Sequence, residues 1–438
     1  MSDLGLRLDR MRFGGFHRRL LAMGGAGYMF DAMDVGIIGF VLPVIIVEWG
    51  LSGTQAGIVA GSSAIGGIVG ALLAGRLGDV LGRRVVMMWS LAIYALATLV
   101  SAVAWSFDSF LISRIVAGIG TSAESVIIAP FLAEFAPARL RGRFIGSLTA
   151  FFAFGFIASA VIGWLVVPAT DSGWRWALTI TALPIVLLLW WRRSLPESPR
   201  WLERQGRGDE AKAIVDAIER ECGSLDPEHP APAPHARVTN RVSISALVVA
   251  PLRNRLALTL VLWGVMGCCY YAFLTWIPAL LMSRGLTMST SFGFTIAIYG
   301  AQVPGFLSAA WANDRIGRRN VVALYMGLGA IGALFLSAVQ TPIGLLVASM
   351  ALSFALNGAY AGLYSYTPEL FPTSVRATAQ GLATATSRIG AMISPILVGM
   401  LYPTFGFVGV FATALVLLLT GMMCALFFGP RTNNLAFE

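Results

Sequence analysis

Apolar stretches of 18 or more residues recur from one end of this chain to the other, and no other feature constrains its fold as strongly. About twelve can be counted, near 19–48, 54–75, 85–106, 109–135, 143–168, 175–192, 256–283, 289–312, 320–339, 342–367, 377–401 and 405–429. Each is long enough to cross a hydrocarbon layer about 30 Å thick as a helix. In lipid, every backbone N–H and C=O must be satisfied internally, and runs of this length are too long to be strands. Only 12% of the 438 residues are charged, roughly half the share found in a soluble domain. The first run is too long for a cleavable leader and another span follows it directly, so it is expected to stay in the protein. The expected fold is an all-α membrane protein with twelve transmembrane helices.

The net charge of +9 raises the question of an anionic partner, and the placement of the arginines answers it. Arg7, Arg10, Arg12, Arg18 and Arg19 precede the first span; Arg76, Arg83 and Arg84 follow the second; Arg139, Arg141 and Arg143 follow the fourth; Arg315, Arg318 and Arg319 follow the eighth. The alternate loops hold almost none, with Arg175 and Arg284 as exceptions. This is the positive-inside pattern, which predicts a multi-pass plasma (inner) membrane protein with both termini in the cytoplasm. The charge sets topology, and no nucleic-acid partner is expected.

Metal or covalent chemistry finds no support. Cys222 lies in a polar segment and Cys268, Cys269 and Cys424 lie in apolar runs, without metal-ligand spacing. Adjacent Cys268 and Cys269 read as small packing residues. His17, His229 and His235 all fall in segments assigned to the cytoplasm, so no histidine is expected to relay protons inside the membrane. Glycine strings such as GGAGYMF lie inside a helix with no strand before them, and read as helix-packing glycines rather than a nucleotide loop. An enzyme is not expected.

The one long polar stretch, 193–255, divides the chain into halves at 1–192 and 256–438. Within it DEAKAIVDAIEREC predicts a helix, and DPEHPAPAPHARVTN reads as an extended linker. The halves repeat one another. GDVLGRR at 78–84 matches NDRIGRR at 313–319, AEFAPARLR at 133–141 matches PELFPTSVR at 368–376, and Pro43 matches Pro278, all at an offset of 235. One offset for separate segments predicts a parallel repeat of two pseudo-symmetric six-helix halves. Transporters use that plan, with substrate bound where the repeats meet.

These motifs carry a resemblance. GRLGDVLGRR and RIVAGIG at 114–120 resemble the loop and fourth-helix signatures of the major facilitator superfamily. PESPRWL at 196–202 is similar to the sugar-porter and organic-ion branches, while YTPELFPTSVRATAQG and SRIGAMISP resemble aromatic and organic acid:proton symporters. The resemblance implies the superfamily fold and a metabolite carrier working by alternating access. In that resemblance MDVGIIG and RIVAGIG are the first- and fourth-helix motifs whose acid and arginine pair.

The repeat separates scaffold from function. Asp79, Arg83, Arg84, Glu134 and Arg141 have counterparts in Asp314, Arg318, Arg319, Glu369 and Arg376, so both sets read as gating loops in which the aspartates pair with arginines and helix ends. The embedded charges have none: Asp31 matches Met266, Asp34 matches Cys269, Arg114 matches Ser349, Glu124 matches Ala359 and Arg388 matches Ala153. Charges inside a membrane are costly and mark substrate or proton pathways. At 1.5 Å per residue, Asp34 and Arg114 reach compatible depths. The expectation is that Asp34 alternates between an ion pair with Arg114 and a protonated state. Asp31 reads as a second proton site or a substrate contact, and Glu124 as a coupling, substrate-binding or packing acid.

Arg388 stands about eleven residues into its span, in a half whose spans contain no acid at comparable depth. Its planar fork suits a carboxylate, unless Asp31 or Glu124 neutralises it. Among the aromatic residues that could line a cavity, Tyr28, Phe30, Trp263, Tyr270, Tyr271, Trp276, Tyr299 and Tyr364, the strongest substrate candidate is Tyr271. The sequence therefore predicts a proton-coupled symporter that imports a small aromatic or heterocyclic carboxylate. It is expected to act as a monomer, with no cofactor beyond the proton gradient, and with the acid, protons and lipid bilayer as its partners. A sugar or polyol carrier is the alternative, although the seventh span, WGVMGCCYYAFLTWIP, lacks the glutamines of resembling sugar porters.

Overall fold

A computed structural model describes residues 3–137, 140–223, 247, 249 and 252–431. The linker expected at DPEHPAPAPHARVTN lies outside them. The described chain is helical: α1 (Asp3–Arg10), α2 (Gly15–Trp49), α3 (Gly53–Leu81), α4 (Arg83–Ala102), α5 (Phe107–Phe135), α6 (Arg141–Val166), α7 (Gly173–Arg192), α8 (Pro199–Arg204), α9 (Gly208–Cys222), α10 (Leu252–Ser283), α11 (Met288–Gly300), α12 (Gln302–Ile316), α13 (Arg318–Ala338), α14 (Pro342–Leu370) and α15 (Thr373–Phe428). Among the described residues ten helices are long and apolar enough to span a bilayer. The difference from twelve has a simple origin. The last two predicted runs join in α15, broken where Gly406 takes φ 62° and ψ −164°, and the sixth run, α7, whose residues are described only in part, is not among the ten. α11 and α12 together make one crossing. The predicted polar-segment helix is α9.

The repeat extends into backbone conformation. Gly50 and Gly285 both adopt positive φ (61° and 89°), as do Gly82 and Gly317 (97° and 83°), and each pair is related by the same offset. Only glycine enters that region without strain, so each half ends its first span and turns its arginine loop in the same way. Helix starts repeat as well. Ser52 and Thr287 accept hydrogen bonds from the backbone N–H three residues on (3.3 and 3.2 Å). Ser106 and Thr341 do the same (3.3 and 3.2 Å). These caps satisfy N–H groups that a helix start leaves open.

The two exceptions to the arginine pattern have local partners. Arg175 donates to the carbonyls of Ala102 and Ala104 (3.1 and 2.6 Å), which closes the end of α4. Arg284 lies over the Phe407 ring at 4.1 Å.

Packing divides the chain into two compact units that cut across the sequence halves. One comprises Met1–Asp34, Ile65–Ser159 and Arg175–Arg237; the other comprises Val35–Ala64, Ala160–Trp174 and Val238–Glu438. In the first, α1, α8 and α9 form a small bundle. Arg7 is paired with Asp216 at 2.6 Å and with Glu219, and Arg200 meets Asp9 at 2.8 Å. The two carboxylates raise the Arg7 guanidinium above its ordinary value, chiefly through their hydrogen bonds. Leu8, Met11, Val215 and Ile218 supply the buried apolar contacts.

In the second unit, α3 crosses α15 with no side chains between them. A Cβ at Gly57 would stand 2.6 Å from the Pro395 carbonyl, one at Gly61 would stand 2.6 Å from that of Met392, and Gly53 meets Gly399 in the same stripe. Small residues one turn apart permit this approach. Gly57→Leu is therefore expected to drive these helices apart. With a single cysteine introduced near Gly53, labelling by a membrane-impermeant thiol reagent should rise several-fold. Unchanged labelling would show that the crossing tolerates the added side chain.

Candidate functional site

The first unit holds its charges between α2, α5 and α7. Asp34 on α2 is ion-paired with Arg114 on α5, and both side chains are 0% exposed. Tyr94 of α4 lies within electrostatic range of both and donates to the Phe30 carbonyl at 3.2 Å. Two opposite charges in a low-dielectric interior attract strongly, and each offsets part of the cost of burying the other. The expected Asp34–Arg114 partnership is thus present in the geometry.

Glu124 has a partner that the sequence reading missed. Arg192, at the end of α7, pairs with Glu124 and also donates to the Met23 carbonyl at 2.9 Å. Gly27 makes room, because a Cβ there would collide with both the Arg192 guanidinium and the Glu124 carboxylate. Arg192 is the last residue of an apolar run and adjoins Arg193, so it reads as a loop charge, although its side chain is only 1% exposed. Glu124 thus has a counterion of its own within one unit. Asp31, half-buried, accepts from the Ser125 hydroxyl oxygen at 2.5 Å.

The loops expected to gate are built alike in both halves, and their arginines pair chiefly with glutamates. Arg83 pairs with Glu134, and Arg318 pairs with Glu369 at 2.9 Å. The aspartates expected to hold these arginines stand farther off: Asp79 is 3.8 Å from Arg83 and 71% exposed, and Asp314 is 3.6 Å from Arg318 and 82% exposed. An exposed pair one turn apart contributes little, on the order of 0.3–0.5 kcal/mol, so the glutamates are the principal partners. Arg84 donates its backbone N–H to Glu197 (3.1 Å) and its guanidinium to the Arg193 carbonyl (2.6 Å). Ser198 donates to Glu134, and Trp201 donates to the Asp79 carbonyl at 2.9 Å. PESPRW thus covers the first loop. Arg319 donates to the Gly429 carbonyl at 3.2 Å and Arg376 to the Phe371 carbonyl at 3.4 Å. The side chain of Arg141 lies outside the described residues. Glu369→Gln is expected to lower the transport rate several-fold while leaving the order of preference among substrates unchanged, as measured by competition uptake.

His17 lies in the first turn of α2, just before the predicted apolar run. Its Nε2 bonds the Phe135 carbonyl at 3.1 Å and its Nδ1 accepts from the Gly14 N–H at 3.3 Å. Both ring nitrogens are thus engaged where α2 meets the end of α5.

The second unit gathers aromatic rings beside Arg388. Trp263 and Tyr364 stack edge to face at 4.9 Å between centroids, Tyr270 and Tyr360 at 5.0 Å, and Tyr270 and Tyr271 at 5.4 Å. Tyr360 and Ser387, the residue before Arg388, share a hydrogen bond of 2.8 Å, and Tyr364 lies within electrostatic range of Arg388. Trp263 and Tyr270 are buried at the back; Tyr271 and Arg388 are half-buried, and Tyr364 is 49% exposed. Edge-to-face aromatic pairs contribute about 0.5–1.5 kcal/mol beyond their burial, which makes the wall rigid. α10 meets α15 closely here because Gly264 and Gly267 lie against Ser387 and Gly390.

Of the other candidate aromatics, Trp276 donates to the Pro395 carbonyl (3.2 Å) and Tyr299 to that of Leu274 (2.9 Å), so both are packing residues. Tyr28 meets the Ser125 carbonyl at 3.4 Å. The reading from sequence missed Tyr360 and Gln302. Buried Gln302 accepts from the Tyr270 hydroxyl at 3.4 Å, where α12 begins.

Comparison with known proteins gives a concordant picture. A family model described as sugar (and other) transporter matches residues 22–438. The chain is 33% identical over 437 residues to the niacin transporter NiaP of Acinetobacter baylyi, covering 100% of this chain and 99% of that protein. It is 26% identical to the inner membrane metabolite transport protein YgcS of Escherichia coli, covering 99% of this chain and 96% of that one. A crystal structure of a D-xylose-proton symporter superposes with a TM-score of 0.78 over 95% of this chain and 98% of that one, at 19% identity, a likeness of fold. The twelve-helix fold, the repeat and these matches agree: the chain is a multi-pass membrane transporter of small metabolites, and it belongs to the sugar (and other) transporter family, a sugar-porter-like branch of the major facilitator superfamily.

Proposed function

We propose that this protein is a proton-coupled symporter for a small aromatic or heterocyclic monocarboxylate, working by alternating access. The observation that carries the reading is the wall of Trp263, Tyr270, Tyr271, Tyr360 and Tyr364 beside Arg388. A flat ring finds stacking surfaces there, and a carboxylate finds a planar, permanently charged fork. Niacin, named for the relative in Acinetobacter baylyi, is a pyridine ring bearing one carboxylate, and fits that description. Asp34 with Arg114, and Asp31, supply acids that couple proton movement to the cycle, while the Glu124–Arg192 pair anchors the same helices. The arginine loops lie on the cytoplasmic side and gate the pathway; one copy of the chain is sufficient.

The test is uptake of labelled nicotinate, and of a panel of aromatic acids, into proteoliposomes with an imposed pH gradient. Accumulation driven by the gradient is expected. If no aromatic carboxylate accumulates, the reading is wrong. The family description keeps a sugar in view, and competition by pentoses or hexoses in place of acids would establish that alternative.

A further inference from the structure

This inference rests on the aromatic-acid reading above and concerns how the site tells one ring from another. The crossing Met288–Ile316 is broken halfway along, where α11 ends at Gly300 and α12 begins at Gln302. Pro304 has no N–H to offer the Gly300 carbonyl, and a Cβ on Gly300 would meet nothing within 4 Å. Broken helices of this kind bring polar groups to the substrate sites of transporters.

Gln302 is the polar group at this break, and it is 1% exposed. Its side chain ends a short run of hydrogen bonds. Asn357 on α14 donates to the Ser353 carbonyl at 3.2 Å and also to the Tyr270 hydroxyl. That hydroxyl donates in turn to Gln302 Oε1 at 3.4 Å. The run therefore has a direction, and it finishes on the amide nitrogen. Among the described residues Gln302 Nε2 has no hydrogen-bond partner. A buried donor left unmet is costly, so the position calls for an acceptor. The internal repeat does not account for it: at the offset of 235, Gln302 matches Gly67, Tyr270 matches Val35 and Asn357 matches Ser122.

The surroundings indicate which acceptor fits. The Tyr270 ring stands edge to face with Tyr360 and Tyr271. Gly267, three residues before Tyr270 on α10, lies against Ser387, the neighbour of Arg388. Three helical residues advance about 4.5 Å, a step comparable to the size of one aromatic ring.

We propose that Gln302 determines specificity, its Nε2 donating a hydrogen bond to the ring nitrogen of a heteroaromatic monocarboxylate held at Arg388. Tyr270 and Asn357 are its positioning residues. A pyridine nitrogen presents an in-plane lone pair, whereas the C–H that replaces it in benzoate accepts nothing. The site favours the heterocycle because the carbocycle leaves Nε2 unpaired.

The experiment measures the affinities of nicotinate and benzoate for the purified full chain by calorimetry, with melting temperature as the control on folding. The wild type is expected to bind nicotinate about tenfold more tightly than benzoate. Gln302→Met keeps the length and removes the donor; it should weaken nicotinate about tenfold, leave benzoate unchanged and abolish the preference. Tyr270→Phe keeps the ring and removes the hydroxyl that orients the amide, so the preference should narrow while benzoate binding stays the same. Equal affinities in the wild type would overturn the proposal, as would an undiminished preference in either variant, or an equal loss of both acids in Gln302→Met. If Gln302→Met does not fold, the wild-type comparison and Tyr270→Phe decide the matter. A wild type that binds neither acid would instead refute the aromatic-acid reading itself, and this inference with it.

Discussion

Arg388→Ala is expected to reduce binding of aromatic carboxylates roughly hundredfold. Removing one partner of a buried hydrogen-bonded charge pair costs about 2–5 kcal/mol; Arg388 is half-buried, so the lower part of that range applies, and each 1.4 kcal/mol is about tenfold. The residue stands on α15 directly after Ser387, whose hydroxyl is held by Tyr360, so the truncation removes the charge and leaves the aromatic wall in place. Arg388→Lys should recover only part of the loss, because an ammonium is a point charge and not a two-pronged donor. The measurement is the apparent affinity for nicotinate by calorimetry or thermal shift on purified protein, with the unliganded melting temperature as a control on folding. If the variant binds as tightly as the wild type, Arg388 is not the carboxylate site. If it binds no acid and melts far lower, the arginine is structural.

The second large effect is expected at the buried pair. Arg114→Ala leaves the Asp34 carboxylate without its counterion in a site that is 0% exposed, and such a loss costs about 3–5 kcal/mol. The melting temperature should fall sharply. Asp34→Asn combined with Arg114→Gln replaces the two charges by neutral amides, leaves no uncompensated buried charge and should restore part of the stability. Transport separates the two roles. If the pair serves the cycle, the stable double variant is expected to have lost gradient-driven accumulation. Wild-type accumulation in the double variant would show that the pair is architectural and that coupling lies elsewhere.

These two sites were legible in the sequence to different degrees. Asp34 and Arg114 could be matched because each lies inside an apolar run and their depths agree. Glu124 could be found for the same reason, but its partner could not, since Arg192 closes a run beside Arg193 and resembles a loop charge. The repeat matched Arg83 with Arg318, each of which meets a glutamate, and put too much weight on the aspartates. Asp79 and Asp314 are neighbours of Arg83 and Arg318 one turn away in sequence, whereas Glu134 and Glu369 reach them from a different helix. Ser52 with Thr287, and Ser106 with Thr341, repeated at the same offset in plain view, yet their role as caps emerges only with the helix boundaries. Tyr360 is one of several tyrosines in α14 until its contact with Ser387 marks it out.

The sequence by itself determined that the chain crosses the membrane repeatedly as helices, that its halves repeat, and that Asp31, Asp34, Arg114, Glu124 and Arg388 have no counterparts in that repeat. Those conclusions follow from run length, from the cost of unpaired backbone in lipid and from one constant offset. Only the tertiary structure decided the partners: Arg192 for Glu124, Ser125 for Asp31, and the ring of tyrosines beside Arg388. The physical reason lies in the helices themselves. Residue number fixes depth at 1.5 Å per step, but a helix that is apolar all round carries no stripe to show which way each side chain faces. That rotation is set by close packing at glycines such as Gly27, Gly57 and Gly267, and it determines which charges meet.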